Sequence, residues 1–214
     1  MKRLVSFAVF LFLSGSAGWP WQTVAAAEEK VIVFLGNSLT AGYGIEPSQA
    51  FPARIQEKIA GRGWNFSVVN AGKSGETTAG GLRRMDWLLR TRMDLLVLEL
   101  GGNDGLRGIP ANVTEKNLQG IIDKVKKKYP KAQIVIAGMA VPPNLGELYT
   151  REFRQLFVDL AKRNRCPLIP FLLQGVGGVP ELNLPDGIHP TPDGHKIIAE
   201  NVWKVLQPVL ESML

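Results

Sequence analysis

The sequence predicts an α/β fold, a flavodoxin-like three-layer sandwich around a five-stranded parallel sheet of order 2-1-3-4-5. Three observations lead there. Five short runs rich in β-branched and aliphatic residues punctuate the chain, and unbroken runs of that kind are how strands buried on both faces read. Between them lie stretches whose apolar residues recur every three or four positions, the period of a helix with one buried face. The two types alternate throughout, which makes the strands parallel and places helices on both faces. Right-handed crossovers then favour the doubly wound order.

The first strand covers residues 31–34, and Gly36 interrupts it. A helix over 51–59 carries Phe51, Ile55 and Ile59 on one face, with Pro52 in its first turn, where proline is tolerated. The second strand, 66–70, runs into a glycine-rich loop, 71–78. Leu82, Met85, Leu88 and Leu89 mark the next helix, and 95–100 the third strand, which ends in Gly101-Gly102-Asn103-Asp104-Gly105. A long amphipathic helix spans about 112–128, and its basic end (Lys124, Lys126, Lys127, Lys128, with Lys131 beyond) suits the negative end of the helix dipole. A solvated face explains that cluster better than a nucleic-acid patch. The fourth strand is 134–139. Residues 141–146 contain Pro142 and Pro143, which predicts a non-helical loop. Phe153, Leu156, Phe157 and Leu160 define another helix. The fifth strand, 168–172, contains Pro170, as an edge strand can. Residues 175–185 read as loop, and a helix over 191–210 closes the chain.

With 214 residues, 45% hydrophobic and 21% charged, the chain is long enough for one domain with a sizeable core and too apolar for disorder. Residues 1–27 read as a signal peptide: Lys2-Arg3, an apolar stretch over 4–13, and Ala25-Ala26-Ala27 before a cleavage point. The mature domain is then 28–214, periplasmic or secreted. The apolar stretch is short for a membrane span, so no stable insertion follows once it is removed, although Trp19-Pro20-Trp21 leaves an uncleaved anchor open. Cys166 is the only cysteine. It excludes an intramolecular disulfide and a thiolate metal cluster, and it reads as a small hydrophobe.

Loops that follow strands in such sheets converge on one edge, where ligands bind. Ser38, Gly75 and Asn103 all lie on such loops, and the late loop 184–190 contains Asp186 and His189. A nucleophilic serine needs a base and the base an orienting group; one short Pro- and Gly-rich turn supplies both. His195, the other histidine, falls in the closing helix and takes a structural role. No further ligands accompany the two histidines, so no metal site is expected. The backbone amides of Ser38 and Gly75 and the side-chain amide of Asn103 are candidate donors to an oxyanion. Two apparent motifs fail. Gly72-Lys73-Ser74 lacks the earlier glycine of a phosphate loop, Ser67 standing there. Thr40 stands where the Gly-x-Ser-x-Gly elbow needs its second glycine.

Four blocks, Gly36 to Thr40, Asn70 to Thr77, Gly101 to Asp104 and Asp186 to Pro190, occur in an order that resembles the SGNH hydrolases, or GDSL-type esterases. The likeness is greatest to their bacterial thioesterase, lysophospholipase and arylesterase branch. The resemblance implies Ser38 as nucleophile, His189 as general base and Asp186 as its orienter, with Ser38, Gly75 and Asn103 forming the oxyanion hole. It implies no cofactor and a periplasmic location; export points to a small ester or acyl substrate, lysophospholipid among them, and a monomer is expected. Asn37 departs from the aspartate usual in the family. A carbohydrate O-acetyl esterase of the same fold, or a non-catalytic ligand- or glycan-binding module, are the alternatives.

Overall fold

The computed structural model describes residues 28–214; the expected signal peptide, 1–27, lies outside the described residues. Five parallel strands form one sheet in the order β2-β1-β3-β4-β5, as the alternation predicts. They are β1 (Lys30–Gly36), β2 (Phe66–Gly72), β3 (Leu95–Glu99), β4 (Gln133–Ala137) and β5 (Leu168–Ile169). The central strands β1 and β3 are almost wholly buried, which is why they read as continuous apolar runs.

Five long helices cover the sheet: α2 (Phe51–Ala60), α3 (Thr78–Leu88), α5 (Ala111–Lys128), α6 (Glu147–Asn164) and α7 (Pro192–Glu211). Helix α2 packs on α7, while α3, α5 and α6 pack in series. Their apolar stripes meet the sheet in one core that includes Phe34, Phe51, Phe153 and Phe157. At the basic end of α5, Lys124 pairs with Asp86 at 2.8 Å and Lys126 donates to the Ala132 carbonyl at 2.7 Å.

Several expectations are corrected. β1 and β2 are longer than the apolar runs, because pairing continues to Gly36↔Gly72 and Gly36↔Glu99. β5 is only two residues long; Pro170 has no N–H to extend the ladder. Two short helices occupy segments read as loops, α1 (Ser38–Ala41) and α4 (Gly102–Leu106). The 141–146 and 175–185 segments each contain a 3₁₀ turn, Pro143–Leu145 and Pro180–Leu182. In both, proline stands at the first turn, where its missing N–H is not needed.

Candidate active site

β1 delivers the chain to the site. A Cβ at Gly36 would collide with Thr40 Oγ1 and Glu99 Oε2, so this strand end admits only glycine. Asn37 then caps α1: its Oδ1 accepts the Leu39 N–H at 2.8 Å. Ser38 is the first residue of that helix, where a backbone N–H has no intrahelical acceptor.

His189 arrives from the far end of the sequence. Its Nε2 lies 2.9 Å from Ser38 Oγ and its Nδ1 lies 2.6 Å from Asp186 Oδ2. The turn that carries both is closed by Leu184 N–H on the His189 carbonyl at 2.7 Å, and Gly187 takes the left-handed φ of 68°, which favours glycine. Asp186 Oδ1 also accepts the backbone N–H groups of His189 and Ile188, both at 2.9 Å. The His189 backbone N–H, then its ring, then the Ile188 N–H hold the Asp186 carboxyl down at about 2. An ionised carboxylate only accepts. It therefore keeps the ring proton on Nδ1 and leaves Nε2 free to accept from the serine hydroxyl. The Tyr43 ring leans on His189, centroids 4.4 Å apart.

Asn103 lies on α4. Its Nδ2 donates to the Glu76 carbonyl at 3.0 Å, which sets the nitrogen end of the amide and leaves a second N–H. Three more hydrogen bonds tie the neighbouring 75–78 segment to α4 and its C-cap. Thr78 donates to Asp104 through its N–H (2.8 Å) and its hydroxyl (2.5 Å), and Arg107 Nη2 donates to the Gly75 carbonyl at 3.2 Å. Gly75 has φ 77°.

A cavity of about 520 Å³ opens beside these groups. Ser38, Asn103 and His189 line it, together with apolar walls from Leu106, Met139, Val141, Phe171, Leu173 and Ile188. Gly75 does not line it; it stands one residue before the carbonyl that Asn103 holds. Of the two segments flanked by proline and glycine, Val141, Pro142 and Pro143 of the first and Gly177, Gly178 and Asn183 of the second contribute to the wall. Met139, Phe171 and Leu173 contribute as well. They were legible only as strand-end apolar residues.

His195 lies apart from this cavity. It is 1% exposed, its ring stacks near Phe51 at 6.1 Å, and its Nδ1 accepts the Phe51 N–H at 3.1 Å. Burial pushes this imidazole down to about 4. Among the described residues no group of three or more His, Cys, Asp or Glu side chains is placed to hold a metal ion.

Asn37, Asp104, Thr78 and Tyr43 went unassigned to the site from sequence. Tyr43 and Thr78 give no periodic or motif signal. Asp104 stood visible as a polar residue beside Asn103 at a strand end, the one cue that marks it.

The model of the GDSL-like lipase/acylhydrolase family matches residues 34–197, which contain every residue just described. Esterase TesA of Pseudomonas aeruginosa is 38% identical over 201 residues, 94% of this chain and 98% of its own. The thioesterase 1/protease 1/lysophospholipase L1 of Escherichia coli (strain K12) is 39% identical over 189 residues, 88% of each chain. The crystal structure of a psychrotrophic esterase, EstA from Pseudoalteromonas sp., inhibited by monoethylphosphonate, superposes with a TM-score of 0.80 at 28% identity, covering 86% of this chain and all of that one. By family model, by relatives and by the parallel sheet with its strand order, the chain belongs to the GDSL-like lipase/acylhydrolase family, the SGNH hydrolases.

Proposed function

We propose that residues 28–214 form an exported serine esterase that hydrolyses carboxylic esters or thioesters through an acyl-enzyme. Ser38 Oγ attacks the carbonyl carbon as His189 Nε2 takes its proton. Negative charge builds on the carbonyl oxygen, facing the Asn103 amide and the Ser38 backbone N–H, with the Gly75 backbone N–H, just outside the cavity wall, as the third donor. His189 returns the proton to the leaving alcohol or thiol. Water, deprotonated by the same nitrogen, then releases the acid and restores Ser38. Asp186 stabilises the imidazolium that forms in each half. No step calls on a cofactor.

The observation that carries this reading is the unbroken line Asp186–His189–Ser38, bonded at 2.6 and 2.9 Å on the wall of a cavity. The apolar wall supports an acyl chain in preference to an acetylated sugar, whose hydroxyls would lose water without polar partners. The names of the relatives, esterase and thioesterase/lysophospholipase, agree with that class. Among the described residues no helix is long and apolar enough to cross a membrane. Export, cleavage after Ala27 and a monomeric state complete the proposal.

The test is a chain-length series of p-nitrophenyl esters and acyl thioesters, with lysophosphatidylcholine and acetylated xylan beside them. The proposal expects turnover of acyl esters rising beyond acetate. Activity on the acetylated glycan alone would support the carbohydrate esterase, and turnover of none of them a binding module.

A further inference from the structure

Behind the proposed nucleophile lies a carboxylate that the mechanism does not use. Glu99, at the end of β3, is fully buried. It occupies the space left by the absent side chain of Gly36. Its Oε1 accepts the Asn37 Nδ2–H at 2.9 Å. Its Oε2 accepts the Asn37 backbone N–H at 3.1 Å and the Thr40 hydroxyl at 2.7 Å. These donors come from both sides of Ser38 in sequence, and Asn37 caps the same short helix through Oδ1. Four residues of helix cannot hold themselves in place. What fixes Ser38 is therefore this set of bonds to β3, together with the Asn70 Nδ2–H from β2 that the Thr40 carbonyl accepts at 2.8 Å.

We propose that Glu99 is the positioning residue of Ser38, acting through a donor–acceptor match with Asn37 in which the amide at 37 lets the buried carboxylate work ionised and without a shared proton. The inference rests on the assignment of Ser38 as nucleophile.

The match is directional. The Asn37 amide, its backbone N–H and the Thr40 hydroxyl all donate to Glu99, so a carboxylate satisfies them as they stand; a proton on Oε1 meets the Asn37 Nδ2–H head-on, and one on Oε2 is accommodated only if the Thr40 hydroxyl turns round to accept it. Burial pushes the carboxyl up, and the Thr40 and Asn37 hydrogen bonds pull it back, to about 7. Burial and those two neutral residues are the influences on it; His189 is bonded to Ser38 on the cavity side. The ionised form is thus available at neutral and mildly alkaline pH.

Exchange of the two polar groups tests the match. In Glu99→Gln the new amide nitrogen must face a donor whichever way it turns. Loosening of Ser38 by about 1 Å costs roughly a hundredfold, so kcat should fall by that order at pH 8. KM should change little, since the apolar wall is untouched. In the double variant Asn37→Asp/Glu99→Gln, the amide nitrogen now at position 99 donates to the carboxylate now at position 37. The amide oxygen at 99 accepts from the residue 37 backbone N–H and from Thr40, and the carboxylate at 37 still caps Leu39. Every bond is restored, with the polarity reversed only in the one that joins side chains 37 and 99, and most of the lost kcat should return. Asn37→Asp alone sets two carboxylates together, and they need a shared proton. Its kcat should hold near pH 6 and fall more steeply than the parent's as pH rises to 9.

Kinetics of the four proteins, with thermal melts, decide it. Recovery in the double variant upholds the match, and so does a Glu99→Gln chain that unfolds while the double variant folds and turns over. A double variant no better than Glu99→Gln overturns it. So does an Asn37→Asp profile that parallels the parent's, which decides the matter if neither protein carrying Glu99→Gln folds. Absence of fluorophosphonate labelling at Ser38 in the unaltered protein would instead remove the nucleophile assignment, so the two failures are told apart.

Discussion

Asn103 Nδ2 and the Glu76 carbonyl oxygen stand 3.0 Å apart, and this one bond decides which end of the Asn103 amide faces the cavity. With the oxygen of the side chain turned away from that carbonyl, the second N–H is free for a developing oxyanion. On the proposed mechanism, replacement by alanine removes a donor aimed at the transition state, so Asn103→Ala should lose about 10²–10³ in kcat with KM little changed. Asn103→Asp should be at least as damaging, since it sets a like charge beside the oxyanion. Steady-state kinetics on folded variants check this; a normal kcat in either would assign Asn103 to shaping the loop alone.

Asp186→Asn tests the orienting carboxylate. Its retained oxygen can still accept the backbone N–H groups of Ile188 and His189, so the turn should keep its shape. The new amide, however, presents N–H to His189 Nδ1, which favours the tautomer with the proton on Nε2, facing the serine. The expected loss is about 10²–10⁴ in kcat, the upper end matching the equivalent change in the serine-protease triad. A loss below tenfold in a correctly folded protein would argue that the turn, and not the charge, orients His189.

The two histidines should separate cleanly. His189→Ala should abolish acylation. His195→Asn keeps an acceptor for the Phe51 N–H, so turnover should survive with reduced stability. The pH dependence has a definite sign. A proton on His195 Nδ1 would face the Phe51 N–H, and the folded ring binds that proton only near pH 4, against about 6.5 when unfolded. The unfolded chain therefore binds more protons between those values. The stability from neutral His195 is complete above about pH 6.5 and is lost, by roughly 3 kcal/mol, as pH falls toward 4. Melts of the parent from pH 7 to 4 should thus fall more steeply than those of His195→Asn; parallel curves would contradict this.

The cavity gives a prediction about chain length. Gly177 lines it, and a Cβ there would meet Leu173 and Phe171 at 3.5–3.6 Å, ordinary contact distances. Gly177→Val should fold and narrow the cavity. Since one methylene is worth about 10-fold or more in a fitted pocket, the ratio of kcat/KM for long over short p-nitrophenyl esters should drop by at least that factor. An unchanged ratio would place the acyl chain elsewhere.

Much of this was legible in the sequence because the sheet is buried on both faces. The runs around Ile32, Leu96 and Val135 had no polar interruption, and the helix stripes of α5 and α6 were regular. The four loops that carry Ser38, Gly75, Asn103 and the Asp186–His189 pair were legible as strand ends. What escaped depends on contacts between distant residues. Helices α1 and α4 have no apolar period of their own; Asn37 on Leu39 and Asp104 on Thr78 hold them. Glu99 looked like a residue inside the third strand, which the sequence carried on to Leu100. Only Gly36, opposite it in register, shows why a carboxylate is accommodated there, and that pairing is absent from any single stretch of sequence. Pro143 was read as a loop marker and residues 175–185 as plain loop, whereas Pro143 and Pro180 each open a 3₁₀ turn.

The central claim is that Ser38 is an activated nucleophile, and a fluorophosphonate tests it most directly. After reaction near pH 8 and proteolysis, mass spectrometry of the parent, Ser38→Ala and His189→Ala proteins reads where the phosphonyl group sits. The account predicts one adduct per parent chain, on the peptide containing Ser38, and none on either variant. An adduct on Ser74, or labelling undiminished in Ser38→Ala, would contradict it.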